Sequence, residues 1–261
     1  MCGIFGVSGS TPAVPLIAAG LKKLEYRGYD SSGIAVNGEK GIWLCKSAGS
    51  LSRLEKKLNQ SAPPLSSVGI GHTRWATHGK ATDLNAHPFL SADGMFAVAH
   101  NGIIENYTGL KAFLSEKGFS LVSDTDSEVV PMLLEYFYDG DVLKAIRRAV
   151  SELEGAFSLA IITSRAPDCV FAARKDSSLA IGCGKGCSFV SSDIPALSGF
   201  AEQCCIPDEN SVAVLRKGEI KLFDRQGNRT APSFKPTGEC GGDAEKGDFP
   251  FFMLKEIFSQ P

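Results

Sequence analysis

The chain has 261 residues, 43% hydrophobic and 21% charged, with a formal net charge of -2 at pH 7. That balance fits one large or two small soluble domains with an ordinary apolar core, and excludes the basic surface of a nucleic-acid or anionic-membrane binder. No apolar run approaches the length that spans a bilayer, and no basic leader or signal core precedes Met1-Cys2-Gly3-Ile4-Phe5-Gly6, so the expected location is cytoplasmic.

Residues 2–8 are apolar and glycine-punctuated, the pattern of a buried strand. Pro15 to Leu24 carries Leu16, Ile17, Leu21 and Leu24 at helical spacing, and Gly28 closes it. Ile34–Val36 and Gly41–Cys45 read as paired strands about an Asn37-Gly38 turn. A second amphipathic helix covers Leu51–Leu58, followed by a polar Ser/Pro loop at 61–67. Val68–Thr73 and Met95–His100 read as buried strands. The polar, histidine-bearing stretch between them is too long for a turn and is a candidate functional loop.

Helices are predicted at Tyr107–Lys117, Ser127–Tyr138 and Val142–Leu153. The second starts at Asp126 or Ser127 as cap, with Glu128 in its first turn. From Ala156 the pattern turns to strands: Phe157–Thr163, Cys169–Arg174, Leu179–Cys183, Phe189–Ser191, Ser211–Leu215 and Ile220–Phe223. Residues 228–248, rich in Gly, Thr, Lys and Asp, read as an exposed linker. The apolar segment Phe249–Phe258 beyond it expects a partner, either another domain or another chain. Pattern alone gives one mixed α/β domain, two sheets covered by helices.

Eight cysteines (2, 45, 169, 183, 187, 204, 205 and 240) without a secretory signal read as thiols, not a disulfide framework. Cys183-Gly184-Lys185-Gly186-Cys187 has the spacing of half a zinc site. No second Cys/His pair follows it, and all four histidines precede residue 101, so a glycine-rich turn is expected and no metal.

Cys2 carries the chemical interest. When an initiator Met is removed, a cysteine at position 2 presents a thiol and an α-amine on one residue. The amine, with a pKa near 7.7–8.0, can take the thiol proton without a histidine. A cysteine thiol, pKa about 8.5, needs only modest help. Taken alone, Cys2 would be a small residue in an edge strand.

Its surroundings change that reading. Cys2-Gly3-Ile4-Phe5-Gly6 resembles the start of the class II glutamine amidotransferases, which are N-terminal nucleophile hydrolases. The run Leu24-Glu25-Tyr26-Arg27-Gly28-Tyr29-Asp30-Ser31-Ser32-Gly33-Ile34-Ala35 narrows the resemblance to the glutaminase part of the glucosamine-6-phosphate synthases. It argues against the purine-pathway branch, and a catalytically silent glutamine-binding module is the reading left if Met1 is retained. Gly71-His72-Thr73-Arg74-Trp75-Ala76-Thr77-His78-Gly79, Asn85-Ala86-His87-Pro88, His100-Asn101-Gly102-Ile103-Ile104-Glu105-Asn106 and Ser123-Asp124-Thr125-Asp126-Ser127-Glu128 follow in the family's order, and the similarity runs from Cys2 to about Pro261.

The resemblance implies an α+β fold, the four-layer αββα sandwich, with a glutaminase domain at 2–225 and a linker at 226–261 leading toward a sugar-phosphate isomerase domain beyond this chain. It implies Cys2 as nucleophile, with the Asn101 side chain and the Gly102 N–H as oxyanion donors. Arg74 would take the glutamine carboxylate, since a planar guanidinium matches two oxygens, where the plain alternative is a surface Arg at a strand end. Asp126 would take the ammonium, alongside or instead of its capping role. Thr77 and His78 would line the pocket, Trp75 would gate ammonia, and Arg27 would hold the N-terminal residue or form a plain salt bridge. Implied partners are L-glutamine, the isomerase domain with its fructose 6-phosphate, and a second copy of the full-length protein. No cofactor is implied. Pro250-Phe251 and Phe258-Ser259 depart from the family's basic–His and aromatic–Glu pairs, which bears on coupling to a synthase domain.

Overall fold

A computed structural model describes residues 2–240 and 257–258 of the chain. The first stretch forms β1 (Gly3–Ser8), α1 (Ala13–Lys23), a 3-10 turn at Glu25–Arg27, β2 (Ser31–Gly38), β3 (Gly41–Ala48), α2 (Leu51–Ser61) and β4 (Val68–Arg74). Then come β5 (Phe89–Leu90), β6 (Phe96–Gly102), α3 (Tyr107–Glu116), α4 (Val129–Phe137), α5 (Val142–Glu152), β7 (Phe157–Thr163) and β8 (Val170–Lys175). The last stretch supplies β9 (Ala180–Gly184), β10 (Cys187–Ser191), β11 (Gln203–Cys205), β12 (Val212–Arg216), β13 (Glu219–Phe223), β14 (Arg229–Thr230), β15 (Lys235–Pro236) and a short α6 (Thr237–Cys240).

The strands form two sheets: eight in the order β15-β11-β9-β10-β1-β4-β2-β3 and seven in the order β14-β13-β12-β8-β7-β6-β5. α1 and α2 cover the first sheet over Phe5, Ile17, Leu21, Ile34, Val36 and Leu54. α3, α4 and α5 cover the second over Leu133, Ile146, Leu159, Ile161 and Phe171. Between the sheets lies a third core that includes Ile4, Ile70, Ile162, Ile181 and Val190. This is the four-layer αββα sandwich.

Both faces of the central strands are therefore buried, which is why they read in the sequence as unbroken apolar runs. In β7, Leu159 and Ile161 face the helices while Ala160 and Ile162 face the other sheet. The inner face of the second sheet is rich in alanine (97, 99, 160, 172 and 213), so the sheets meet through small side chains. α1 lies just as tightly on β1: a Cβ at Gly20 would sit 2.3 Å from the Phe5 ring.

Three expectations are corrected. The hairpin register pairs Asn37 with Ile42 and Gly38 with Gly41, so the turn is Glu39-Lys40 rather than Asn37-Gly38. Asn37 is only 8% exposed, and its Nδ2 donates to the carbonyls of Thr163 (3.3 Å) and Pro167 (3.1 Å) across the sandwich. Those contacts outweigh the local turn preference. α4 starts after Glu128 and has no side-chain cap, because the Asp126 carboxylate is engaged elsewhere. The stretch expected as linker still pairs with both sheets, through Arg229–Thr230 on β13 and Lys235–Pro236 on β11. By contrast, Lys185-Gly186 makes the tight turn expected between Cys183 and Cys187, with φ of 52° and 73°. The apolar segment Phe249–Phe258 lies outside the described residues except for its last two. Among the described residues, no helix is long and apolar enough to cross a membrane.

Candidate active site

Cys2 stands just before β1, an interior strand flanked by β10 and β4. β1 pairs Gly3 with Thr73, so the end of β4 delivers Arg74 and Trp75 beside Cys2. The Trp75 backbone N–H donates to Cys2 Sγ at 3.2 Å. From the other sheet, the end of β6 delivers Asn101 and Gly102. Asn101 Nδ2 donates to the Cys2 carbonyl oxygen at 2.9 Å, and Arg27 Nε donates to the same oxygen at 3.1 Å. Arg27 is also paired with Asp193 at 3.0 Å. The closing ends of the two sheets thus hold one cysteine by its main chain and leave its sulfur in a cleft.

Cys2, Arg74, Trp75, Thr77, His78 and Gly102 line that cleft, with Asp126 and Ser127 opposite. Burial pushes the Cys2 thiol above its ordinary pKa, opposed in part by the Trp75 N–H and the Arg74 charge. The thiol is therefore largely protonated near neutrality and needs a base. Gly102 has φ +116°, and a Cβ there would lie 2.0 Å from the Ala156 carbonyl oxygen, so only glycine fits.

Arg74 is buried, and its guanidinium donates to three carbonyls of its own loop: Lys80 (3.2 Å), Gly79 (3.1 Å) and His78. Asp30, 4.0 Å from Arg74, also accepts from the Ala76 N–H. The Asp126 carboxylate accepts from the Ile104 N–H at 2.8 Å and from Ser127 Oγ at 3.3 Å. Thr77 and His78 stand on the outer part of the loop, with the His78 ring edge-on to Tyr107 at 6.1 Å. Trp75 is 41% exposed and packs edge-on against Tyr29 at 5.3 Å.

Some residues around the cleft carried no assigned role in the sequence. His72, His87 and His100 are buried side by side, with His72 and His87 stacked at 4.2 Å. Desolvation lowers all three pKa values, His72 to about 3 and His87 well below 6.5; the nearby Asp126 charge opposes the shift at His100. His100 Nδ1 meets Ser127 Oγ at 2.7 Å. Asp30 braces the loop as described. The signal for all of these was their place inside the quoted motif runs, but their contacts cross from strand to strand and leave no spacing to read. A larger cavity of ≈ 100 Å³ lies against α5, lined by Arg147, Lys175, Asn210 and Arg225. It shares no residue with the Cys2 cleft.

Residues 72–199 match the family described as glutamine amidotransferase domain. Over 261 residues the chain is 43% identical to a Clostridium tetani protein named glutamine–fructose-6-phosphate aminotransferase (isomerizing), covering 100% of this chain and 43% of that protein. A Symbiobacterium thermophilum protein of the same name is 44% identical over 261 residues, again 100% of this chain and 43% of that protein. The chain spans less than half the length of the curated relatives it matches. Among solved structures, the glutamine phosphoribosylpyrophosphate amidotransferase of B. subtilis shares the fold, with a TM-score of 0.75 at 24% identity over 87% of this chain and 50% of that one.

Proposed function

This chain belongs to the class II glutamine amidotransferases, and from that membership we propose that it hydrolyses glutamine with Cys2 as nucleophile. The observation that carries the reading is the placement of Cys2: its sulfur faces the cleft with the Trp75 N–H at 3.2 Å, and its carbonyl is clamped by Asn101 and Arg27.

Removal of Met1 frees the α-amine of Cys2, which takes the thiol proton. The thiolate attacks the side-chain amide carbon of glutamine, and the carbonyl π pair moves onto oxygen. Asn101 Nδ2–H and the Gly102 N–H stabilise that oxyanion, a contribution of about 10²–10³ in rate per donor in comparable sites. Collapse breaks the C–N bond as the ammonium of Cys2 protonates the leaving nitrogen. Ammonia departs and leaves a γ-glutamyl thioester. Water, deprotonated by the amine, attacks the thioester and releases glutamate and the thiol. Each step is carried by residues of this chain.

Arg74 binds the glutamine carboxylate with the N–H groups its loop carbonyls leave free, and Asp126 takes the ammonium with its remaining lone pairs. Glutamine enters the cleft past the exposed Trp75–Thr77 stretch of the loop. Thr77, His78 and Trp75 close over it afterwards. The relatives' names point to fructose 6-phosphate as ammonia acceptor; we assign that step to an isomerase domain of the whole protein. This glutaminase unit then spans residues 2–225 and the sheet-pairing strands that follow, with its destination reached through the residues up to 261.

Intact-mass measurement tests the premise, because a protein that still carries Met1 has no terminal base. Cys2→Ala should abolish glutamate release while thermal unfolding is unchanged. Full activity in that variant would remove Cys2 from the mechanism.

A further inference from the structure

We propose that His72 is a positioning residue that fixes the orientation of the Asn101 carboxamide and so aims its N–H groups at Cys2 and the oxyanion. The inference rests on the glutaminase reading above and adds a residue that touches neither substrate nor sulfur.

A carboxamide has two orientations of nearly identical shape, and only one puts Nδ2 toward Cys2. His72 Nε2 lies 2.9 Å from Asn101 Oδ1 and 3.0 Å from the His100 carbonyl oxygen. The carbonyl can only accept, so Nε2 carries the proton and donates to both oxygens. Turning the Asn101 amide would set its NH₂ against the His72 N–H and its oxygen against the Cys2 carbonyl. Both contacts would be donor–donor or acceptor–acceptor clashes in a buried site, where an unmade hydrogen bond keeps its full desolvation cost. The order is therefore His100 C=O, His72 Nε2–H, Asn101 Oδ1, Asn101 Nδ2–H, Cys2 C=O. One N–H of Nδ2 is held on Cys2, and the second remains for the oxyanion.

The ring itself is well held. His72 is fully buried on β4, facing β6, and stacks on His87 with an interplanar angle of 15°. Nδ1 has no hydrogen-bond partner, so a second proton there would be a buried, unpaired charge. Burial holds the pKa near 3, and the ring stays a neutral, single-tautomer donor throughout the working pH range.

The test uses the full chain with Met1 removed and glutamine as substrate. His72→Gln returns an N–H near the Nε2 position, whereas His72→Asn keeps size and polarity but shifts the donor toward Nδ1; His72→Leu removes it. His72→Leu and His72→Asn are expected to lower kcat by roughly 10- to 100-fold with KM within about twofold, less than or equal to the loss of the donor itself. His72→Gln should recover most of kcat. In an Asn101→Ala background, His72→Asn should cost little more, because the two residues act in series. Unchanged kcat in His72→Asn, or equal losses in both backgrounds, would overturn the inference while an inactive Cys2→Ala variant keeps the glutaminase reading. An active Cys2→Ala would overturn both.

Discussion

Arg27 Nε–H donates to the Cys2 carbonyl oxygen at 3.1 Å while its Nη1 is tied to Asp193 at 3.0 Å, so one guanidinium anchors the residue just before β1 to the segment that follows the neighbouring strand β10. The Arg27 side chain is 10% exposed, and the planar fork serves both partners at once. A lysine can serve one. Arg27→Lys should therefore lower kcat/KM for glutamine by about 10²-fold, the usual scale for a misplacement of ~1 Å in a reacting group. Asp193→Asn should give a smaller loss of the same kind. Steady-state glutamate release in both variants checks the order; an Arg27→Lys enzyme with native kcat/KM would reduce the contact to packing.

Gly102→Ala should fail for a steric reason that is independent of charge. The backbone there has φ +116°, and the new methyl would meet the Ala156 oxygen at 2.0 Å. A positive φ on a non-glycine residue plus overpacking costs about 2–5 kcal/mol together. The local β6–β7 backbone would shift and carry the Gly102 N–H away from the oxyanion. Thermal unfolding should fall markedly, and kcat should fall more than KM rises. A variant of native stability and native kcat would mean that the Gly102 backbone moves freely.

The sequence exposed the fold through its periodicities and the site through its motif runs, and it failed where long-range contacts outweighed local preference. Asn37-Gly38 is a strong turn signal, but Asn37 is spent on two carbonyls of the opposite sheet, which no local pattern reveals. Asp126 reads as a helix cap because it precedes an apolar run, yet its carboxylate turns to Ile104 N and Ser127 Oγ. β14 and β15 were invisible because two-residue edge pairings need no apolar alternation. The role of His72 was hidden for another reason: its partners are 28 and 29 residues away, on a strand of the other sheet.

Arg74→Ala should do more than weaken binding of the glutamine carboxylate. Three loop carbonyls, at His78, Gly79 and Lys80, depend on this guanidinium, and Asp30 loses a counter-charge. KM should rise by at least ~10²-fold, as for loss of a buried charge-assisted contact. The 75–80 loop should also become susceptible to proteases that do not cut the parent chain. Arg74→Lys keeps the charge but not the fork, so it should restore part of the affinity and little of the protection. If Arg74→Ala raised KM without any change in loop proteolysis, the carbonyl contacts would be incidental.

Acid should unfold this domain earlier than its carboxylates alone require, because of the column of His72, His87 and His100. Burial lowers each pKa in the folded chain, to about 3 for His72, while the unfolded value is near 6.5. Below pH 6.5 the unfolded chain binds protons that the folded chain refuses. Stability therefore rises with pH across this window; it is fully present above about 6.5 and is lost as the pH falls toward the folded values. A histidine that stays neutral in the folded chain while charged in the unfolded one contributes up to ~1.4 kcal/mol per pH unit, and the three act in the same direction. Against a typical total of about 5–15 kcal/mol, such a slope is a large fraction of the stability. Urea midpoints at pH 7.5, 6.5, 5.5 and 4.5 should be level between the first two and then drop steeply. His87→Asn keeps an acceptor for the His100 N–H, which His87 Nδ1 receives at 3.2 Å, and removes one titration. It should reduce the slope below pH 6. Level stability from pH 7.5 to 5 would show that the buried rings take up protons without resistance, and the neutral column would have to be abandoned.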